Sequence, residues 1–249
     1  MKVSIITVTF NSVLYLEKSI LSVVNQTYKN FELIIIDGGS TDGTLQIIDK
    51  YSKYISHCTS EKDQGIYDAM NKGIKKATGE IIGFLNSDDE LYDENVLKII
   101  TSSFNHNVKC VFGDIVFVDN ENTNKILRYY SSKNFSLNQF SYGHMPPHPS
   151  FYALRILYDE IGYFKLGYKI AADFDFLIRA LSDTSTNYKY INSIIVRMRT
   201  GGVSSRIKNK ILLNKEILRS CKENNIKTSY LKIYIKYLYK IFSFIKLKT

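Results

Sequence analysis

From Val3 to Phe10 the chain reads Val-Ser-Ile-Ile-Thr-Val-Thr-Phe, a β-branched run without strict polar alternation. Such a run predicts a strand covered on both faces, as in a parallel sheet. Asn11-Ser12 then offers a helix cap, and Leu14, Leu16, Ile20, Leu21 and Val24 recur at helical spacing. A second apolar run, Phe31 to Ile36, ends at Asp37 and a glycine turn (Gly38 to Gly43), with Ser40 or Thr41 capping a helix from about Asp42 to Tyr54. Ile55 to Thr59 reads as a short strand and Gln64 to Ala77 as a helix. A fourth apolar run, Glu80 to Leu85, stops at Asn86-Ser87-Asp88-Asp89. Four βα units in about 100 residues predict an α/β fold: a doubly wound, mostly parallel sheet with helices on both faces. After Asp93 the pattern shifts to longer, partly antiparallel strands, Val108 to Val118 and Lys125 to Tyr130. A loop from Tyr142 to Pro149 follows, then a helix from about Leu154 to Ile161, another opening at Ala171, and a last strand from Asn187 to Arg197. Thr200 to Ser205 reads as a loop, and the chain beyond Arg206 as Lys-dense helix.

Composition narrows the class. The 249 residues are 45% hydrophobic with only three Pro, which fits one large globular domain, alone or with an appendage. Cys58, Cys110 and Cys221 are widely spaced without a CxxC, against a disulfide scaffold or zinc site and for a reducing, cytoplasmic setting. No apolar run approaches the roughly 18–20 residues of a spanning helix, and Met1 to Phe10 lacks the basic region of a signal peptide. The charge of +9 is uneven: twelve Lys/Arg against two Glu from Arg206 onward give +10, leaving −1 for the rest. This divides the chain into a domain over residues 1–205 and a basic helical extension over 206–249. Nucleic acid is disfavoured, because the body lacks a basic patch. In the extension Lys232, Lys236 and Lys240 form a stripe, Leu231, Ile235, Leu238, Phe242 and Ile245 fill the other side, and Tyr234, Tyr237 and Tyr239 stand at the edges. That pattern suits an interfacial helix on the inner face of an anionic membrane; a helix packed on the domain with a solvated Lys face has the same composition.

The apolar run before Asp88 and Asp89 gives them their chemistry. Ligands of parallel sheets collect at the carboxyl ends of strands, and two adjacent carboxylates there are relieved by a hard divalent cation, Mn²⁺ or Mg²⁺, with positions left for diphosphate oxygens. A solvated acidic turn before a helix near Asp93 would look alike. Asp37 ends its strand at the same rim, placed to accept from a base N–H or to cap the glycine turn. Thr7 and Thr9 alternate toward that rim. The chain has no GxGxxG, no GxxxxGK[ST] and no GxSxG, which removes the dinucleotide, P-loop and α/β-hydrolase readings.

Six segments in order, Ser4 to Asn11, Ile36 to Thr44, Asp68 to Gly73, Leu85 to Asp89, Ala172 to Phe176 and Gly201 to Ser204, resemble the family 2 glycosyltransferases of GT-A fold, in the branch that builds bacterial surface polysaccharides such as O-antigen and capsule. The resemblance spans roughly residues 2 to 205. It implies a nucleoside-diphosphate sugar donor, most often UDP-linked, a divalent metal and inversion at the anomeric carbon. The acceptor would be a saccharide, on a polyprenyl diphosphate if the membrane reading of the extension holds. It implies nucleotide contacts from Thr7, Thr9, Asn11, Asp37, Asp63, Asn71 and Asp88, with metal at Asp88 and Asp89. Asn86 stands where the family's acidic motif more often has Asp, so which carboxylate ligates directly stays open. Asp173 matches the base position, although its usual acidic neighbour is Ala172, and Asp175 is the fallback. His148 could line the acceptor side, Arg197 or Arg199 could face the diphosphate, and Gly201-Gly202 could form a lid; Tyr67 is expected to pack. A non-catalytic sugar-nucleotide-binding protein would be expected to lose Asp88, Asp89 or Asp173. A nucleotidyltransferase would carry a basic glycine loop where Asn11-Ser12 stands.

Overall fold

The computed structural model describes residues 1–201, 207–235 and 237. The first four strands form as expected: β1 (Val3–Thr9), β2 (Phe31–Asp37), β3 (His57–Ser60) and β4 (Ile81–Phe84), all parallel in spatial order β3-β2-β1-β4. Helices α1 (Leu16–Val24), α2 (Thr44–Lys50) and α3 (Ile66–Lys76) connect them. The alternation within each strand sorts two cores. Val3 and Ile5 of β1 and Leu33 and Ile35 of β2 meet Leu16, Ile20 and Val23 of α1 on one face. Ile6, Val8, Ile34 and Ile36 meet Met70 and Ile74 of α3 on the other.

Beyond β4 the sheet is mixed: antiparallel strands appear after Asp93 as expected, but in such number that the sheet as a whole is not mostly parallel. The remaining strands are β5 (Glu90–Leu91), β6 (Cys110–Val118), β7 (Ile126–Tyr130), β8 (Phe151–Leu154) and β9 (Tyr188–Arg199). β8 lies antiparallel between β4 and β6, β9 runs parallel to β6, and β5 and β7 add antiparallel to β9 and β6. β8 falls in a short stretch to which the sequence assigns no element, after the loop that ends at Pro149. Its four residues are too few to show a period, yet the strand is central. Its Tyr152 pairs with Gly83, and a Cβ on Gly83 would stand 2.0 Å from the Tyr152 ring. Only glycine lets that ring lie across β4.

Helices α4 (Val96–Ser103), α5 (Arg155–Ile161), α6 (Ala172–Ser182) and α7 (Ile207–Glu223) complete the fold. The expected boundary at 205/206 is not a boundary of the fold. Ile217 and Cys221 of α7, and Ile233 beyond it, are buried in the same core as Phe174 and Leu177 of α6. Thr228 donates to the Ser141 carbonyl at 2.5 Å. Charge alone misled here: Lys and Arg heads lie at the surface while their helix buries its other side. No helix among the described residues is long and apolar enough to cross a membrane. Lys236, Leu238, Tyr239, Lys240, Phe242 and Ile245, on which the interfacial stripe depends, lie outside the described residues, as does Gly202.

Candidate active site

The carboxyl ends of β1, β2 and β4 meet at one rim. Thr9 is paired in register with Asp37, and the Gly38 amide donates to the Thr9 carbonyl at 2.9 Å. Asn11 takes a left-handed backbone (φ 50°); its amide donates to Ser40 Oγ at 2.8 Å and its Oδ1 accepts from the Thr41 amide at 2.9 Å. Ser12 extends the latch, donating its amide to Thr44 Oγ1 and sharing a 2.8 Å hydroxyl contact with Ser87. Three loops are thereby tied together before any ligand is bound.

Within this rim Asp37 is fully buried and saturated. It accepts from the amides of Gly39 and Ser40 and from the hydroxyls of Ser40 and Ser60. Its carboxylate shapes the turn. Thr7 is buried mid-strand, while Thr9 places a buried Oγ1 at the strand end with no hydrogen-bond partner among the described residues. Asp63 does reach the rim. Its Oδ1 accepts from the Gly65 amide at 2.8 Å, and a Cβ on Gly38 would stand 2.7 Å from its Oδ2. Sequence reasoning missed Phe10, whose ring lies beside Gly38 and is 62% exposed. No sequence signal marks it, because the Gly-Gly turn it stands beside lies 28 residues further along the chain.

Asp88 is half-buried and Asp89 is buried. Asn86 donates its side-chain amide to Asp89 Oδ2 at 2.9 Å, so the residue replacing an acid supports its neighbour. Burial, and then the Asp88 charge, hold the Asp89 carboxyl well above the usual carboxylate range. Neither has an ion-pair partner within 4 Å among the described residues. Arg199 instead supports the turn from beneath. It is 5% exposed, donates to the Asp88 carbonyl, pairs with Glu90 at 2.6 Å and lies over the Tyr15 ring. Its guanidinium is paired with Glu90, and its charge and backbone amide also favour the ionised form of Asp89. Arg197 stacks on Tyr92, and Gly201, exposed at φ 105°, ends the described segment.

A cluster of rings links this rim to the start of α6. Phe84 of β4 packs on His148 and Phe164, and Phe164 packs on Tyr67 and Phe176. His148 is therefore a core residue at 6% exposure, and burial pushes its pKa down to about 4, so it is neutral at physiological pH. Asn71 sits in the same layer. It donates to the Phe164 carbonyl at 2.8 Å and accepts the Phe164 amide at 3.0 Å, a main-chain staple in place of the expected nucleotide contact.

Asp173 opens α6 and is partly exposed. Its Oδ1 accepts from the Phe174 amide at 2.8 Å and stands 3.1 Å from the Tyr67 hydroxyl. Burial raises its pKa to about 6. Asp175 points the other way, fully buried against Lys165 at 3.0 Å and Arg179 at 2.9 Å. That double ion pair removes it as a fallback base. Sequence reasoning also passed over Asp114 of β6, buried beneath the hydroxyls of Tyr129 and Tyr190 and the Ser132 amide.

Comparison with known proteins resolves the class. Residues 4–162 match the model of "Glycosyl transferase family 2". The chain belongs to this family. Across 220 residues this family 2 glycosyltransferase is 32% identical to a "PGL/p-HBAD biosynthesis glycosyltransferase" of Mycobacterium bovis, covering 85% of this chain and 82% of that one. It is 36% identical over 122 residues to an uncharacterized glycosyltransferase of Haemophilus influenzae, covering 48% and 49% of the two chains. Its fold is similar to S. aureus TarS 1-349 in complex with UDP-GlcNAc (TM-score 0.64, 20% identity, 88% of this chain and 66% of that one). It is likewise similar to the mannosyltransferase PcManGT of Pyrobaculum calidifontis in complex with GDP-Man and Mn²⁺ (TM-score 0.66, 16% identity, 88% and 64%). The mixed α/β sheet is thus of the GT-A kind, and this family 2 chain is a glycosyltransferase.

Proposed function

We propose that this glycosyltransferase moves a sugar from a nucleoside-diphosphate donor, UDP-linked in the first instance, to a saccharide hydroxyl with inversion. The donor lies along the rim of Thr9, Asn11, Asp63 and the Asp88–Asp89 turn. The observation that carries this reading is the adjacent pair Asp88 and Asp89 just beyond β4, with no ion-pair partner within 4 Å among the described residues, beside a latched rim. Adjacent carboxylates are the ligand type a hard cation takes; among the described residues no group of three or more His, Cys, Asp or Glu stands together to hold a metal ion, so donor oxygens would complete the shell. Asp88, the more exposed, would ligate Mn²⁺ or Mg²⁺ directly, and Asp89 would back it. When bound, the cation would neutralise charge on the departing diphosphate. Phe10 offers a face on which a base can stack, and the orphaned Thr9 hydroxyl a polar contact beside it.

Asp173 is the base. The acceptor oxygen forms its bond to the anomeric carbon as the bond from that carbon to the diphosphate oxygen breaks, and the hydroxyl proton passes to the Asp173 carboxylate. A carboxylate of pKa about 6 is ionised at neutral pH yet a far better proton acceptor than an exposed aspartate. Two further parts of the reading concern setting. The acceptor is a sugar on a polyprenyl diphosphate in the synthesis of a surface polysaccharide, and the basic residues after Arg206 hold the enzyme against the inner membrane face.

The test is a panel of UDP- and GDP-sugars assayed for hydrolysis and thermal stabilisation, with Mn²⁺ and with EDTA. One donor should be turned over, and EDTA or Asp88→Ala should abolish turnover and weaken UDP binding. Full activity in EDTA would remove the metal from this reading, and no turnover of any donor would remove the reading itself.

A further inference from the structure

Helix α7 presents a carboxylate that takes no part in its own helix. Glu216 is 6% exposed and turned toward the segment entering α6. Its Oε1 accepts the Lys169 amide at 2.7 Å, and its Oε2 accepts those of Ile170 at 2.8 Å and Ala171 at 2.9 Å. Three successive amides converging on one carboxylate make an anion nest. The other polar side of the same segment is held as well, because Tyr67 donates to the Ile170 carbonyl at 2.5 Å. Ala171 is the N-cap of α6, and Asp173 lies in the first turn. The two residues before the helix are thus gripped from α3 and α7, elements far away in sequence.

We infer that Glu216 is a positioning residue of the transfer reaction, fixing the placement and charge environment of Asp173 through the amides of residues 169–171. The inference rests on the assignment of Asp173 as base. Two physical reasons favour a carboxylate here. Three N–H donors need an acceptor with several lone pairs, and Gln would turn N–H groups against some of them. A helix N-terminus also carries partial positive charge, which lowers the proton affinity of a carboxylate in the first turn. Glu216 offsets that charge and keeps Asp173 basic. The titratable groups that face Asp173 are Tyr67 from α3 and Glu216 from α7, and Asp175 of the same helix is turned to Lys165 and Arg179. Glu216 lies beyond residues 4–162, the part that matches the family, so the device belongs to the C-terminal part of this chain.

The experiment measures hydrolysis of the preferred UDP-sugar from about pH 5 to 8, the span around the base, on the full chain with Mn²⁺. UDP affinity by calorimetry and the melting temperature accompany it. In Glu216→Gln, kcat should fall about 10- to 100-fold, the scale of a misplaced reacting group. UDP affinity should hold and the acid limb of kcat should move to lower pH. Glu216→Asp keeps the charge but withdraws it, so kcat should fall while the limb stays. Wild-type kcat in both variants, or a loss that tracks UDP affinity, overturns the inference. If Glu216→Gln does not fold, Glu216→Asp decides by the same criterion. An unchanged rate in Asp173→Asn overturns the base assignment and this inference with it. A large loss in Asp173→Asn beside wild-type kcat in the Glu216 variants overturns this inference alone.

Discussion

Asp173 is held at the cost of stability. Its folded pKa of about 6 lies above the ordinary value of 3.8, so the native state binds this proton more tightly than the unfolded chain. Stability therefore falls as pH rises through about 6, and at neutral pH the ionised carboxylate is a native-state burden. Asp173→Asn should raise the melting temperature at pH 7.5 while cutting turnover about 10²-fold or more, the range of general base catalysis. Wild-type turnover should climb with pH through about 6; a flat profile there counts against the base. Phe10→Ala should weaken UDP binding by about 1–3 kcal/mol, the range for base stacking on an aromatic, with little change in kcat. An unaltered affinity by calorimetry would remove Phe10 from the donor site. At this scale the sequence was legible where chemistry is unusual, as in Asp88 beside Asp89 after an apolar strand. Asp37 and Arg199 stand at strand ends and Asn71 in a helix, and all three read as ligand contacts because they are polar residues in or beside the family's motifs. A motif does not say whether backbone amides, the Phe164 main chain or Glu90 will use the residue first.

The elements follow the same division. β1, β2 and β4 announce themselves by apolar runs, β3 only as a short strand between helices, and each formed within a few residues of its expected place. β8 could not, because its evidence is a partner: Tyr152 fits only where β4 offers Gly83. Gly83→Ala should destabilise the protein by about 1–3 kcal/mol or more, as overpacking does, read as a lower denaturation midpoint. Gly83→Ala with Tyr152→Phe should recover little, because the clash is with the ring carbons and not with the hydroxyl. Full recovery by that double variant would show that the ring is not what the glycine accommodates. The expected helix near Asp93 begins at Val96, because residues 90–91 first pair with β9 as β5.

At the scale of the whole molecule the C-terminal part is structural before it is anything else. Ile217, Cys221 and Ile233 are buried at 3% exposure or less. Together they contribute roughly 5 kcal/mol, comparable with the whole stability of a domain. A chain ending at Arg199 should fail to unfold cooperatively. One ending at Tyr237 should keep its UDP affinity and bind vesicles of anionic lipid more weakly at low salt, having lost Lys240, Lys246 and Lys248. Equal vesicle binding by the Tyr237-ended and full chains would assign the basic residues beyond it a different task. The position of β8 has a further consequence, for the ribosome. β4 is synthesised 66 residues before the strand that covers its free edge, an interval of roughly 3–13 s at the usual pace of translation. Throughout it the nascent chain holds a hydrophobic parallel half-sheet with one row of main-chain groups unpaired, the state most open to pairing with another chain. Yield in cells should therefore depend on translation speed through codons 85–150 and on chaperone supply, even for variants whose finished fold is as stable as the wild type.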